Sequence, residues 1–120
     1  MKLSKEDLNK IAQVKEILEN EYKCYNTHAQ LARRVSTNES KLRKGFKFVT
    51  KKTIYEYIIG MRIEKAKELL EATDEPVKAI AIKVGYDVSN LVKQFKKITG
   101  MAPLEWRKKY LSNNLHFLAL

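Results

Sequence analysis

The stretch "KVGYDVSNLVKQFKKITG", Lys83 to Gly100, decides the fold once a second stretch is set beside it. Alone it reads as an amphipathic basic helix after a glycine turn. Upstream, "LARRVSTNESKLRKGFKFVTKKTIYEYI" (31–58) aligns without gaps to "IAIKVGYDVSNLVKQFKKITGMAPLEWR" (80–107), at an offset of 49 residues. Nine of the 28 positions are identical: Ala32/Ala81, Val35/Val84, Ser40/Ser89, Leu42/Leu91, Lys44/Lys93, Phe46/Phe95, Lys47/Lys96, Thr50/Thr99 and Glu56/Glu105. Chance at ordinary residue frequencies gives about two. Leu31/Ile80, Val49/Ile98 and Tyr57/Trp106 are conservative. The chain therefore contains one unit twice.

Each copy pairs a short helix with a longer basic one across a brief polar break, which is the pattern of a helix-turn-helix. Alanine at 32 and 81 lets the two helices approach closely. Leu42/Phe46 and Leu91/Phe95, at i,i+4, mark the inward face. The residues between them face outward: Ser40, Lys41, Arg43, Lys44 and Lys47 in the first copy, Ser89, Asn90, Val92, Lys93 and Lys96 in the second. Such a face suits the donors and acceptors of a DNA major groove and its flanking phosphates.

Outside the repeat, helix signals dominate. Ser4-x-x-Asp7 is a capping box opening a first helix over about Lys5 to Glu21, with Leu8, Ile11, Val14, Leu18 and Tyr22 at helical spacing. Thr27 and Gln30 cap a second helix holding Ala29, Leu31, Ala32 and Val35. A third spans about Glu39 to Phe48, burying Leu42, Phe46 and Val49. Thr53 and Glu56 cap a fourth, reaching about Glu71, with Tyr57, Ile58, Met61, Ala66, Leu69 and Leu70 as its stripe. Asp74 or Glu75 caps a fifth, with Pro76 in its first turn and Gly85 closing it. The sixth is "SNLVKQFKKI", ended by Gly100, and Pro103 opens a seventh, "PLEWRKKY". The expectation is an all-α chain of about seven helices. Residues 1–52 form a first helix-turn-helix subdomain, 53–72 a linking helix, 73–110 a second subdomain and 111–120 an apolar tail.

The bulk numbers agree. With 44% hydrophobic residues the 120-residue chain can bury a core, and 24 Lys/Arg against 14 Asp/Glu leave a net charge of +10. Lys41 to Lys52 holds six basic residues and no acid, and Lys93, Lys96, Lys97, Arg107, Lys108 and Lys109 echo it. Such clustering points to a polyanion; the plainer reading is a solvated basic face. The lone Cys24, among tyrosines, reads as a buried or half-buried thiol and excludes an intramolecular disulfide. His28 and His116 have no partnered carboxylate or nucleophile pattern, and no phosphate-binding glycine loop or metal-ligand spacing occurs, so neither an enzyme nor a cofactor is expected. No apolar run is long enough for a membrane span. A polar start places the chain in the cytoplasm.

A linking helix of about 18 residues is about 27 Å long. Two recognition helices on one face of B-DNA sit about 34 Å apart. One chain with such a linker can read two successive major-groove segments.

These motifs resemble the AraC/XylS family of bacterial transcription regulators over about Ser4 to Tyr110. The combination is Arg62-x-x-x-Ala66-x-x-Leu69-Leu70, "IAIKVGY", "FKK" and Gly100-x-x-Pro103. The resemblance implies two helix-turn-helix subdomains joined by a long helix, promoter DNA as ligand, RNA polymerase as a partner, and a separate sensing domain in front. The family's base-reading positions fall on Ser40, Arg43 and Lys44, and on Ser89, Asn90, Val92 and Lys93. Phosphate contacts are expected at Lys41, Lys47, Lys51, Lys96 and Lys97 and at helix N-termini near Thr27, Thr53 and Pro103, whose free N–H groups favour anions. Two departures stand out. Lys51 occupies a position where the family usually ends its first unit with glycine, so that helix is expected to close differently. The interval from Gly85 to Phe95 is one residue shorter than usual, which leaves the register of Val88, Ser89 and Asn90 open.

The expected function is sequence-specific binding of double-stranded DNA to regulate, and chiefly activate, transcription. The alternative is a helical adaptor whose basic face binds an acidic protein. The tail "LHFLAL" packs on the core, or docks a missing domain or a second chain.

Overall fold

A computed structural model describes residues 1–119, with side chains through Asn113. Among these residues there are seven α-helices and no strands. They are α1 Lys5–Glu21, α2 His28–Arg34, α3 Glu39–Thr50, α4 Ile54–Ala72, α5 Val77–Val84, α6 Val88–Thr99 and α7 Pro103–Ala119. The chain divides into two compact units, Met1–Met61 and Arg62–Leu120, and the division lies inside α4.

Three helices begin at the capping boxes expected of them. Ser4 and Asp7, Thr27 and Gln30, and Thr53 and Glu56 each exchange two bonds, side chain to backbone in both directions. Each box satisfies two of the N–H groups that a helix start leaves bare.

In the first unit Ile11, Val14 and Leu18 of α1 meet Leu31, Ala32 and Val35, Leu42 and Phe46 of α3, and Ile54 of α4. Tyr57, Ile58 and Met61 pack against this cluster from α4. The contact of α1 on α3 is close at Gly45: a Cβ there would stand 2.9 Å from Ile11 Cδ1. In the second unit Ile63, Ala66, Leu70, Ile80, Ala81, Val84, Leu91 and Phe95 are buried.

The two copies close in the same way. Ser36 and Gly85 both take positive φ at the turn (58° and 91°), and Lys51 and Gly100 do so at the end of the long helix (65° and 79°). Thr50 and Thr99 each donate to the carbonyl four residues back and accept from the N–H two residues on. Phe46 meets Tyr57 edge-on with ring centroids 5.4 Å apart, and Phe95 meets Trp106 likewise at 5.8 Å. Such pairs contribute about 0.5–1.5 kcal/mol beyond the area they bury.

Several expectations are corrected. Val49 is exposed, because the buried residues of α3 stop at Phe46. Leu8 and Ala29 are exposed as well, whereas Ile54 and Ile63 of α4 belong to the core. Cys24 is exposed, in the turn after α1. Neither Asp74 nor Glu75 caps α5: Pro76 is its N-cap, with no side-chain bond, while Glu75 pairs with Lys83. Lys51 closes α3 with the same left-handed geometry as a glycine, its N–H donating to the Lys47 carbonyl. α7 continues past Tyr110 to Ala119. The side chains of "LHFLAL" lie outside the described residues.

Candidate nucleic-acid interface

The register left open at the start of α6 is settled by its cap. Asp87 is the N-cap and accepts from Asn90 N at 2.7 Å. Forty-nine residues earlier, Asn38 is the N-cap of α3 and accepts from Lys41 N, also at 2.7 Å. Neither cap was singled out from the sequence, although an Asx residue three before the first buried leucine's neighbour is the ordinary signal for one. The helices therefore run in step, and Ser89 and Lys93 occupy the places of Ser40 and Lys44.

With Leu42, Phe46, Leu91 and Phe95 buried, the opposite faces are presented to solvent. Ser40, Lys41, Arg43, Lys44 and Lys47 are exposed on α3, as are Ser89, Asn90, Lys93, Lys96 and Lys97 on α6. Val92 is half-buried. Among the described residues Arg43, Lys44, Lys47, Lys93, Lys96 and Lys97 make no ion pair.

Other basic groups serve the fold. Lys41 Nζ sits 2.9 Å from Asp7 Oδ1, tying α3 to the start of α1. The Ser4 N–H and then Lys41 hold the Asp7 carboxyl down at about 2. Arg34 grips Glu21 with two bonds of 2.7 and 2.8 Å and keeps its carboxyl below the usual range. Arg62 donates to the Gly85 carbonyl at 3.1 Å and lies over the Tyr86 ring, fixing the turn that launches α6. Arg107, counted above with the basic cluster, points inward instead. It donates to the carbonyls of Leu70 and Glu75 at 3.0 and 2.8 Å. The roles of Arg62 and Arg107 leave no trace in composition, since a backbone carbonyl carries no sequence signal.

The expected phosphate sites at helix ends are partly occupied. The Thr27 N–H is taken by Gln30 and the Thr53 N–H by Glu56. The Glu56 carboxyl is held below its usual range, first by that Thr53 bond and further by Lys47 and Lys52. Lys51 holds its ammonium 5.1 Å from the Phe48 ring centre.

A sequence-family model described as a helix-turn-helix domain, of the AraC type, matches residues 31–109. The chain belongs to the AraC-type helix-turn-helix family. Members of that family are DNA-binding transcription regulators. The AraC-type chain is 34% identical over 94 residues to the uncharacterized HTH-type transcriptional regulator YtdP of Bacillus subtilis, covering 78% of itself and 12% of that protein. It is 30% identical over 104 residues to the Msm operon regulatory protein of Streptococcus mutans, covering 86% of itself and 37% of that protein. It thus spans a minor part of either relative's length. Its fold matches the DNA-binding domain of AdpA, a global transcriptional factor solved in complex with a target DNA. The TM-score is 0.81 at 22% identity, over 86% of this chain and 94% of that one. No described helix is long and apolar enough to cross a membrane.

Proposed function

We propose that this AraC-type chain binds double-stranded DNA sequence-specifically through α3 and α6, each entering one of two successive major-groove segments. Arg43, Lys44, Ser40, Lys93, Ser89, Asn90 and Val92 read bases. Lys47, Lys51, Lys96 and Lys97 and the helix starts at Thr27 and Thr53 hold phosphates; Lys41 joins them only by leaving Asp7. The observation that carries this reading is the set of exposed cations on both long helices that make no ion pair among the described residues, Lys44 and Lys47 standing at the same places in the repeat as Lys93 and Lys96, with Arg43 and Lys97 beside them. A solvated basic face needs no such repetition, whereas cations set in the same register on two helices suit a phosphate backbone.

The role is one of binding rather than catalysis, and its place is the cytoplasm, where bacterial promoters are. The greater length of the relatives supports a sensing domain as a further part of the regulator, and the names of two relatives, transcriptional activators, support activation, for which RNA polymerase is the partner. Selection from a random duplex pool tests the central reading. Enrichment of one motif about two helical turns long supports it. Retention of no sequence in preference to another at any salt concentration supports the adaptor that binds an acidic protein.

A further inference from the structure

We propose that Asp87 is a specificity-determining positioning residue: its carboxylate fixes the amide of Asn90 so that α6 selects adenine at one base pair. The inference rests on the DNA-reading role given to α6 above. Asp87 makes two bonds to the same residue. Oδ1 accepts from Asn90 N at 2.7 Å, and Oδ2 accepts from Asn90 Nδ2 at 3.2 Å. The first is the helix cap. The second adds nothing to the backbone, but it decides which way the amide faces. A carboxylate has only acceptors, so the amide nitrogen, never its oxygen, faces Asp87.

The Asn90 side chain is exposed. With one N–H bonded to Asp87, its remaining N–H and its Oδ1 stay available on the outward side. That donor and acceptor, side by side, match N7 and the N6 amino group of adenine in the major groove. The first copy shows what happens without this arrangement. There the N-cap is Asn38, the residue three further on is Lys41, and the Lys41 side chain turns to Asp7. The same corner thus holds an oriented amide in α6 and a lysine committed to the fold in α3. The two units are therefore unequal readers at this position.

Asp87→Asn and Asp87→Ser test the role, because both residues cap helices well and neither presents two acceptors. The replacement amide can donate to Asn90 Oδ1 and reverse it, and serine leaves it free to rotate. Removing a negative charge from the DNA face strengthens binding to all sequences alike, so the readout is a ratio and not an affinity. The full chain is used to select from a random duplex pool. Two duplexes differing only at the adenine position are then competed, and thermal melting checks that each variant is folded. The wild type should enrich adenine at one position that Asn90→Ala abolishes. Both Asp87 variants should lower the discrimination there by about tenfold and leave the rest of the motif intact. A variant that keeps the wild-type ratio overturns the positioning role, as does a motif that Asn90→Ala leaves unchanged. A wild-type chain that enriches no motif overturns the DNA-reading role itself, which is a separate failure.

Discussion

Lys51 sits at φ 65°, where its Cβ crowds the backbone, and its counterpart Gly100 takes the same turn without a Cβ. An L-residue in this region costs about 1–2 kcal/mol. Part of that is offset by the Phe48 ring beneath the ammonium and by the greater freedom glycine has when unfolded. Lys51→Gly should therefore raise the stability of the first unit by about 0.5–1 kcal/mol in a urea titration. It should also weaken DNA binding if Lys51 holds a phosphate as proposed; stability and affinity then move in opposite directions. Arg43 offers the opposite test. It is exposed and makes no ion pair among the described residues, so Arg43→Ala should leave the urea midpoint alone. It should cost about 1–3 kcal/mol of binding to the preferred site and relax preference at one base pair, as measured by competition between site variants. Neither residue's backbone or partner was legible in isolation. A lysine carries no local hint of left-handed geometry; the glycine at its repeat equivalent, and the glycine usual there in the family it resembles, point to it.

At the scale of helices, the starts made by a full capping box are the most legible feature, while the single caps at Asn38 and Asp87 are not. Ser4, Thr27 and Thr53 announce their boxes, because a short oxygen-bearing side chain followed by Glu, Gln or Asp at the third place has one natural use. The start of α5 departs from its sequence signal for the converse reason. Asp74 and Glu75 look like caps, but Pro76 fixes the extended turn alone and Glu75 is drawn to Lys83. The cap at Ser4 carries a pH signature. The Asp7 carboxyl lies at about 2 in the fold against an ordinary 3.8. A depressed carboxyl stabilises the fold fully above its unfolded value and loses that contribution as pH falls through the folded one. Urea midpoints of the wild type should therefore fall between pH 3.8 and about 2 by more than those of Asp7→Asn. Parallel acid limbs for the two proteins would show that the Asp7 network contributes nothing.

For the whole molecule, the count of 24 lysines and arginines overstates what is available to a polyanion. Arg34, Lys41, Lys83 and Arg107 are held by carboxylates or carbonyls, so the proposed interface rests on the cations with no such partner among the described residues. Lys47→Ala should weaken binding to all sequences to a similar degree. It should also flatten the slope of log affinity against log salt by about one unit; a slope equal to the wild type's would remove Lys47 from the phosphate contacts. The repeat made the architecture legible at this scale, because nine shared residues in register fix two copies of one unit. It hid the differences in use, since Lys41 and Asn90 stand at the same place and do different work.

Those differences have a consequence for the DNA. Two copies in one chain, with unlike residues at positions 43 and 92 and at 41 and 90, do not call for a palindrome. A target written for them reads differently in its two directions. Inverting such an operator in place would present the regulator back to front to whatever lies downstream.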